Sequence, residues 1–301
     1  MTVVVFGSIN RDLVMRVRRL PLAGETVAAY GLELLPGGKG ANQATASALH
    51  GAPTLLIGAV GDDAHGAAML AGLTAAGVDS SAIVQVAGPT GLAHVFVSDE
   101  GENQIVIVTG ANGEARAPLA FPSCADHAVA VAQAEVPASE VARFLALARD
   151  AGACTLFNPA PANAEGAALI ALADMVVLNE TELAFFTGGN VSEGDDAVEA
   201  AARRLMARDR QWVVVTLGGE GVLACGPGET LRIAAPKVAV VDTTGAGDTF
   251  CGVLAARLSE GAGMAQALQL ACIAASLSVQ RVGAAASMPT RAEVEAALVR
   301  S

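Results

Sequence analysis

The regular alternation of short β-branched runs with alanine-rich amphipathic segments constrains this chain most. The opening segments are the run Val3–Phe6, the amphipathic segment Ala41–His50, the run Thr54–Ala59 and the amphipathic segment Ala64–Ala76. Strands that alternate with helices in this way pair in parallel, because each helix carries the chain back across the sheet. The pattern predicts an α/β fold with a mostly parallel sheet, helices on both of its faces, and ligands at the carboxyl ends of the strands.

The same alternation resumes in the second half. The predicted elements are helix Glu140–Ala151, strands Cys154–Phe157 and Met175–Leu178, helix Asp195–Arg208, strand Trp212–Thr216 and helices Ala246–Ser259, Met264–Gln280 and Arg291–Val299. Two stretches, Asp12–Leu35 and Thr90–Thr109, instead alternate polar and apolar residues as antiparallel strands do. We therefore predict a lid formed by one small β-sheet (residues 12–35 and 90–109) beside a core of residues 1–11, 36–89 and 110–301.

Composition excludes several classes of protein. The formal net charge is −12, from 30 acidic and 18 basic residues, and no block of Lys or Arg provides the basic face that nucleic acid requires. The five cysteines are scattered and never in C-x-x-C spacing, which argues against a disulfide framework and a zinc site and fits the cytoplasm. The chain opens directly into a predicted strand, and no apolar run is long enough for a membrane span.

A glycine-rich turn before a predicted helix carries the most specific chemistry. In the segment Val241–Gly252, Gly245 and Gly247 remove the side chains that would keep an anion from the backbone N–H groups and the positive helix end. Asp248 lies at the mouth of this anion site, where a carboxylate could accept a proton from a hydroxyl group during phosphoryl transfer. An ordinary helix N-cap would explain the same Asp, so this segment alone leaves both interpretations open.

A second glycine cluster, Gly37–Gln43, also leads into a helix. It is not a Walker A loop, because Glu33 stands where a glycine is required and Gly40 follows the lysine where Ser or Thr would hold Mg²⁺. Gly38 lets a ligand approach the backbone, while Lys39 and Asn42 supply hydrogen-bond donors.

Six motifs together resemble the PfkB (ribokinase-like) carbohydrate kinases, nearly over the whole chain and in the same order. They are Gly7-Ser8-Ile9-Asn10-Arg11-Asp12, Gly37–Gln43, Gly101-Glu102-Asn103, Asn158-Pro159-Ala160-Pro161, Asn179-Glu180-Thr181-Glu182 and Asp242–Asp248. The resemblance implies a three-layer α/β/α sandwich with a mostly parallel central sheet and a small β-sheet lid. It also implies a homodimer formed through the lid.

The resemblance implies an ATP-dependent sugar kinase. Asp248 would be the catalytic base, the N–H groups of Gly245, Ala246 and Gly247 the anion hole, and the 5-hydroxyl of D-ribose the acceptor. A deoxyribose, fructose, nucleoside or pseudouridine kinase is the alternative within the family, and a catalytically silent sugar-binding protein is the alternative outside it. An NAD-dependent dehydrogenase is disfavoured, because the first strand is not followed by a G-x-G-x-x-G turn.

The resemblance also assigns ligands residue by residue. The sugar-binding positions are Asn10, Asp12, Gly38, Lys39, Asn42, Glu135 and Asp248. The nucleotide-binding positions are Asn179, Thr216, Gly218, Gly221, Gly247 and Cys272. Mg²⁺ would be held through water by Asn179 and Glu182, and an activating K⁺ by Asp242, Thr244, Val282, Gly283 and Ser287. Two departures matter: Thr244-Gly245 does not select ribose, and Cys272 leaves the adenine contacts open.

Overall fold

The computed structural model describes residues 2–122, 127–189 and 194–299, so Cys124 lies outside the described residues. A nine-stranded sheet has the strand order β13-β12-β11-β10-β9-β8-β1-β4-β5. Its strands are β1 Val3–Phe6, β4 Thr54–Gly61, β5 Val78–Val86, β8 Val129–Gln133, β9 Cys154–Asn158, β10 Met175–Asn179, β11 Trp212–Thr216, β12 Val222–Gly226 and β13 Glu229–Ile233. All neighbours pair in parallel except β11 with β12 and β12 with β13.

Helices cover both faces of this sheet. One face packs against α1 Lys39–Leu49, α2 Ala64–Ala75, α7 Ala246–Ser259, α8 Met264–Ser278 and α9 Arg291–Leu298. The other face packs against α3 Ala138–Asp150, α4 Ala164–Leu169, α5 Glu180–Thr187 and α6 Asp195–Leu205. Successive residues of β1 enter opposite cores, Val3 and Val5 one and Val4 and Phe6 the other, because side chains alternate along a strand. The predicted three-layer α/β/α sandwich is confirmed.

A second, four-stranded sheet stands beside the sandwich. Its strands are β2 Asn10–Val17, β3 Ala29–Gly37, β6 Gly91–Ser98 and β7 Asn103–Val108, in the order β3-β2-β6-β7. Two antiparallel pairs, β2 with β3 and β6 with β7, are joined by a parallel pairing of β2 with β6. The predicted small sheet is therefore present, while its role as a lid and the exact division of the chain into core and lid stay predictions.

Helix ends and some short elements differ from the sequence analysis. Predicted helix ends fall within three residues of those observed, as at α6, which stops at Leu205 instead of Arg208. The strands β5, β8, β12 and β13 and the helices α4 and α5 were not predicted. The last two contain only six and eight residues, too few to show a helical period, and β5 mixes polar with apolar residues because it is an edge strand.

The order of strands creates a crevice at the centre of the sheet. From β1 the chain builds outward through β4 and β5 on one side and through β8 to β11 on the other. The connections leave β1 and β8 in opposite directions, and ligands of such sheets bind outside the carboxyl ends of the strands at this point. Glu135, Asn158, Asn179 and Thr216 lie at or just beyond carboxyl ends. Within the described ranges, no helix combines the length and apolar character that crossing a membrane requires.

Candidate active site

The N-terminus of α7 has the backbone of an anion site. Gly245 precedes the helix with a φ of 74°, a left-handed conformation that favours glycine, and a Cβ there would lie 2.9 Å from the Ala284 backbone. The Ala246 N–H donates to the Thr243 carbonyl at 3.2 Å, whereas the hydrogen bonds of the described residues include none donated by the N–H groups of Gly245 and Gly247. Two backbone donors and the positive helix end thus remain for an anion.

Asp248 is the third residue of α7 and is buried at 7% exposure. Its Oδ2 accepts a hydrogen bond from Asn42 Nδ2 at 2.9 Å, and its Oδ1 accepts one from Gln43 Nε2 at 2.9 Å. The cap of α7 is Gly245, so the capping role that the sequence left open for Asp248 is wrong. The carboxylate is instead held by two amides from the first two turns of α1.

Tight packing positions the start of α1. Gly38 precedes the helix at φ 88°, and a Cβ on Gly40 would lie 2.5 Å from the carbonyl carbon of Gly7. Glu135 Oε2 accepts hydrogen bonds from Ser8 Oγ at 2.5 Å and from the Lys39 N–H at 3.1 Å. The loop after β1, the start of α1 and the residue beyond β8 are thereby fixed together.

The side chain of Lys39 lies among carboxylates. Burial lowers the pKa of Lys39, but the negative charges of Asp248, Glu135 and Glu182 outweigh this and raise it above its ordinary value. The ammonium group therefore stays protonated and offsets part of the negative charge of the site. A lysine in this position can also attract an anionic substrate group.

Two acceptor atoms of the predicted sugar side have no protein partner among the described residues. They are Asp12 Oδ1 and Asn42 Oδ1, both shielded from solvent. Burial raises the pKa of Asp12 to about 6, with further contributions from the charges of Glu135 and Asp248, against the opposing effect of Arg11 and Lys39. Buried polar atoms are almost always hydrogen-bonded, so these orphaned oxygens fit the hydroxyl groups of a sugar.

Asn10 is oriented by a residue that the sequence analysis missed. Asn112 Nδ2 donates to Asn10 Oδ1 at 2.7 Å, while Asn112 Oδ1 accepts from the Ile9 N–H at 2.8 Å. Asn10 therefore turns its own NH₂ group away from Asn112, as a donor that complements the neighbouring carboxylates. Asn112 follows β7 by four residues in Gly110-Ala111-Asn112, and only the fold brings it beside Asn10.

A cavity of about 320 Å³ adjoins this side of the site. Its polar walls include Asn10, Asn112 and Glu135, and its apolar walls include Val136 and Ile107, the latter from β7 of the small sheet. The small sheet thus contributes directly to the wall of the site.

A second cleft, of about 290 Å³, is lined by residues from β11, the loop after β13, α7 and α8. Five of the six predicted nucleotide-binding residues line it, all except Asn179: Thr216, Gly218, Gly221, Gly247 and Cys272. The cleft is also lined by residues that the sequence analysis did not assign to it, including Phe250 and Val240. Burial raises the pKa of the Cys272 thiol to about 11, so it contributes a small neutral surface. Gly247 belongs to the anion site as well, which makes the cleft continuous with it.

The predicted Mg²⁺ residues form a capping box at the start of α5. Asn179 Oδ1 accepts from the Glu182 N–H at 2.8 Å, and Glu182 Oε2 accepts from the Asn179 N–H at 2.9 Å. Burial raises the pKa of Glu182, and the charges of Lys39 and Asp248 act on it as well, so it faces the same site. In the described part of the chain, no group of three or more acidic, His or Cys side chains could enclose a metal ion.

Asp242 joins the two loops of the predicted K⁺ site. Its Oδ1 accepts from the Thr244 N–H at 2.9 Å and from Thr244 Oγ1 at 2.7 Å, and its Oδ2 accepts from the Gly283 N–H at 2.8 Å. Burial raises the pKa of Asp242, but these hydrogen bonds outweigh it, so the pKa is lowered and the carboxylate stays ionised. Ser287, which is buried, donates from Oγ to the Ala284 carbonyl at 2.8 Å.

The structure therefore groups the predicted residues around α7 and α1. Asn10, Asp12, Lys39, Asn42, Glu135 and Asp248 surround one region, and the nucleotide positions line the cleft beyond Gly247. Sequence reasoning assigned no role to Ser8, Gln43, Asn112, Gln133 or Asn158, all of which hydrogen-bond within this region. Three of them belong to the six motifs of the family resemblance, which was the available signal.

The site combines three features: an anion site at a helix N-terminus, the buried carboxylate of Asp248 beside it, and the unpartnered acceptor atoms of Asp12 and Asn42 beyond it. This combination is typical of a kinase that acts on a hydroxylated substrate. A family model described as pfkB family carbohydrate kinase matches residues 1–291. The chain belongs to the pfkB family of carbohydrate kinases.

Individual relatives of the chain are consistent with this family. The ribokinases of Schizosaccharomyces pombe and Haemophilus influenzae are each 36% identical to this chain, over 97% of it and 96% of their own length. The solved structure of Arabidopsis thaliana ribokinase complexed with ribose and ATP is 34% identical, with a TM-score of 0.87, and covers 99% of this chain and 98% of its own.

Proposed function

We propose that this chain is a ribokinase, which transfers the γ-phosphoryl group of ATP to the 5-hydroxyl of D-ribose. The observation that carries the proposal is the position of Asp248, with the orphaned acceptors of Asp12 and Asn42 on one side and the free N–H groups of Gly245 and Gly247 on the other. The similarity to ribokinases over nearly the whole chain supports ribose as the acceptor.

The sugar would be held by complementary hydrogen bonds. Asp12 accepts from a cis-diol through its unpartnered Oδ1 and its second oxygen, while Asn10 and Lys39 donate. Glu135 and the free Oδ1 of Asn42 accept from further hydroxyls. This arrangement directs the 5-hydroxyl toward Asp248, which needs contact with the reacting oxygen to act as a base.

The reaction requires little covalent chemistry from the protein. The 5-hydroxyl oxygen forms a bond to the γ-phosphorus while the bond between that phosphorus and the bridging oxygen of ADP breaks, and the hydroxyl proton passes to Asp248. The N–H groups at the start of α7 stabilise the negative charge on the phosphoryl oxygens. The nucleotide base and ribose of ATP occupy the cleft lined by Thr216, Gly221 and Cys272.

We also propose that the enzyme binds two cations, Mg²⁺ and K⁺. Asn179 and Glu182 would hold Mg²⁺ through water, which fits an ion that keeps most of its own waters, and the ion supplies neutralisation of phosphate charge. Asp242 with the Thr244 carbonyl, Val282, Gly283 and Ser287 would hold K⁺. The ionised Asp242, which already links both loops, is the observation that fits this ion.

A homodimer through the small sheet and a cytoplasmic location complete the proposal. β3 and β7 expose apolar side chains, including Leu32 at 61% and Val106 at 58%, and exposed apolar surface of this kind favours a partner surface. Sedimentation equilibrium of the purified protein measures the dimer directly. The unpaired thiols of Cys154, Cys225, Cys251 and Cys272 suit a reducing compartment.

The test is ADP release in a coupled assay with ATP and Mg²⁺, over ribose, 2-deoxyribose, fructose, nucleosides and pseudouridine. We expect the highest kcat/KM with ribose, because 2-deoxyribose leaves Asp12 partly unpaired in a closed site. A higher value with any other acceptor would assign the chain to another kinase of the family. Ribose binding without ADP release, measured by calorimetry, would instead indicate a silent sugar-binding protein.

A further inference from the structure

We propose that Gln43 is the residue that positions the catalytic base, by fixing one oxygen of Asp248 and tying it to the carboxyl ends of two core strands. The inference rests on the proposed function for the role of Asp248. Gln43 is a positioning residue, because its amide reaches the reacting atoms only through the carboxylate.

The hydrogen bonds form a continuous buried network. Gln43 Nε2 donates to Asp248 Oδ1 at 2.9 Å and to Asn158 Oδ1 at 3.2 Å, and Gln43 Oε1 accepts from Gln133 Nε2 at 2.7 Å. Asn158 in turn donates from Nδ2 to the Val177 carbonyl at 2.8 Å. Gln133 is the last residue of β8 and Asn158 is the last residue of β9. The Gln43 side chain therefore connects Asp248, the proposed catalytic base on α7, to the central sheet.

The neighbours fix the orientation of the Gln43 amide. Asn158 donates from Nδ2 to the Val177 carbonyl, so its Oδ1 faces Gln43 as an acceptor beside Asp248 Oδ1. The NH₂ group of Gln43 must therefore face these two oxygens, and a flipped amide would lose its hydrogen bonds to Asp248, Asn158 and Gln133. Asn42 does not have this constraint, since its Oδ1 has no partner in the described part of the chain. Of the two amides on Asp248, Gln43 is therefore the one whose donor direction is determined by the protein.

Packing leaves Gln43 no alternative position. Gln43 and Gln133 are both at 0% exposure. A Cβ on Gly252 of α7 would lie 2.4 Å from the Gln43 carbonyl oxygen, so α1 and α7 touch at this point. Rigid support of this kind holds a catalytic group in the geometry that its reaction requires.

Several charged groups also act on Asp248. They are Lys39 from α1, Asp12 from β2, Glu182 from α5 and the thiol of Cys251 from its own helix. Among the described residues, the side-chain hydrogen bonds to the carboxylate come from the amides of Asn42 and Gln43 and from none of these groups. Gln43 thus supplies one of the two side-chain hydrogen bonds that orient the carboxylate.

The first variant is Gln43→Leu, which keeps the bulk of the side chain and removes the amide. We expect kcat with ribose to fall roughly 10- to 100-fold, because a misplaced catalytic group costs about that much. The KM for ATP should stay within about twofold, since the cleft beyond Gly247 is unchanged.

The second variant, Gln43→Glu, has the same shape and tests the donor itself. When the introduced carboxyl group is protonated, its hydroxyl donates to Asp248 Oδ1 and its carbonyl oxygen accepts from Gln133. When that group is ionised, it repels Asp248. We therefore expect a bell-shaped pH–rate profile in which activity falls at alkaline pH, where the wild type keeps a plateau.

A matched pair of controls exists at Gln211, which is also at 0% exposure. Its Nε2 donates to the Ile170 and Ala173 carbonyls at 2.7 and 2.9 Å, far from the predicted site residues. Gln211→Leu and Gln211→Glu should reduce thermal stability and leave the shape of the pH–rate profile unchanged.

The outcomes separate the two levels of the proposal. A wild-type enzyme that does not phosphorylate ribose overturns the proposed function, and the Gln43 variants are then measured on the sugar it does accept. A folded Gln43→Leu with wild-type kcat, or a Gln43→Glu profile that matches the Gln211→Glu profile, overturns the inference. If Gln43→Leu does not fold, the profile of Gln43→Glu decides.

Discussion

Replacing Asp248 by Asn removes the proposed base with little change in shape. The carboxylate accepts one hydrogen bond from Asn42 and one from Gln43, so an Asn side chain presents one oxygen and one NH₂ group to two donors. The Asn42 amide can rotate and offer its unpartnered Oδ1 to the new NH₂ group, whereas Gln43 keeps its donor on the remaining oxygen. Both hydrogen bonds are therefore retained in Asp248→Asn.

This geometry sets the expected magnitudes. We expect the free energy of unfolding to change by less than about 1 kcal/mol, because the rotated Asn42 only exchanges its unpartnered Oδ1 for an unpartnered NH₂ group. Asp248→Ala instead leaves two buried amide donors unpaired, at a cost of about 1–3 kcal/mol each. Loss of a general base lowers turnover by roughly 10²–10⁴-fold, so kcat should fall by this factor in Asp248→Asn while ribose and ATP still bind.

The assay is ADP release under saturating ribose and ATP, combined with calorimetric titration of each substrate and with chemical denaturation. Removing the Asp248 charge also removes one of the contributions that raise the pKa of Asp12, so ribose affinity should persist to lower pH than in the wild type. Wild-type kcat in a correctly folded Asp248→Asn would refute the role of the base. The rotated Asn42 removes one acceptor from the ribose site, so only a loss of ribose affinity as large as the loss of kcat would show that Asp248 mainly binds the sugar.

The remaining predictions concern the groups around the base. Because folding raises the pKa of Asp12 from 3.8 to about 6, its contribution to stability is present below pH 3.8 and is lost as the pH rises through 6. Asp12→Asn should therefore stabilise the protein at pH 8 by up to roughly 3 kcal/mol and raise the KM for ribose, but not for ATP; equal denaturation midpoints at pH 8 would contradict this. Asn112→Asp cannot donate to Asn10, whose amide then reverses, so the KM for ribose should rise about tenfold with the KM for ATP unchanged; unaltered ribose kinetics would remove Asn112 from the site. Potassium should raise kcat relative to tetramethylammonium at fixed ionic strength in the wild type but not in Asp242→Ala, and activation that survives in the variant would place the ion elsewhere.

The sequence determined the architecture because the relevant forces are local or depend only on order. The β-branched runs and amphipathic segments specify strands and helices through burial of one side or both, and their alternation permits few arrangements other than a parallel sheet between two helical layers. Gly245 and Gly247 predict a turn whose backbone can meet an anion, because the absence of a side chain is itself the relevant property. The short elements α4 and α5 escaped prediction because six to eight residues do not establish a period.

Only the tertiary structure decided which polar groups act together. The motif Gly37–Gln43 includes Gln43, but the sequence does not show what its amide contacts. That contact with Asp248 depends on the packing of α1 against α7, whose residues lie 205 positions apart at this hydrogen bond. The pairing of Asn112 with Asn10 and the raised pKa of Asp12 likewise arise from groups that are distant along the chain. Hydrogen bonds and buried charges depend on distances of a few ångströms, and those distances exist only once the helices and strands have packed.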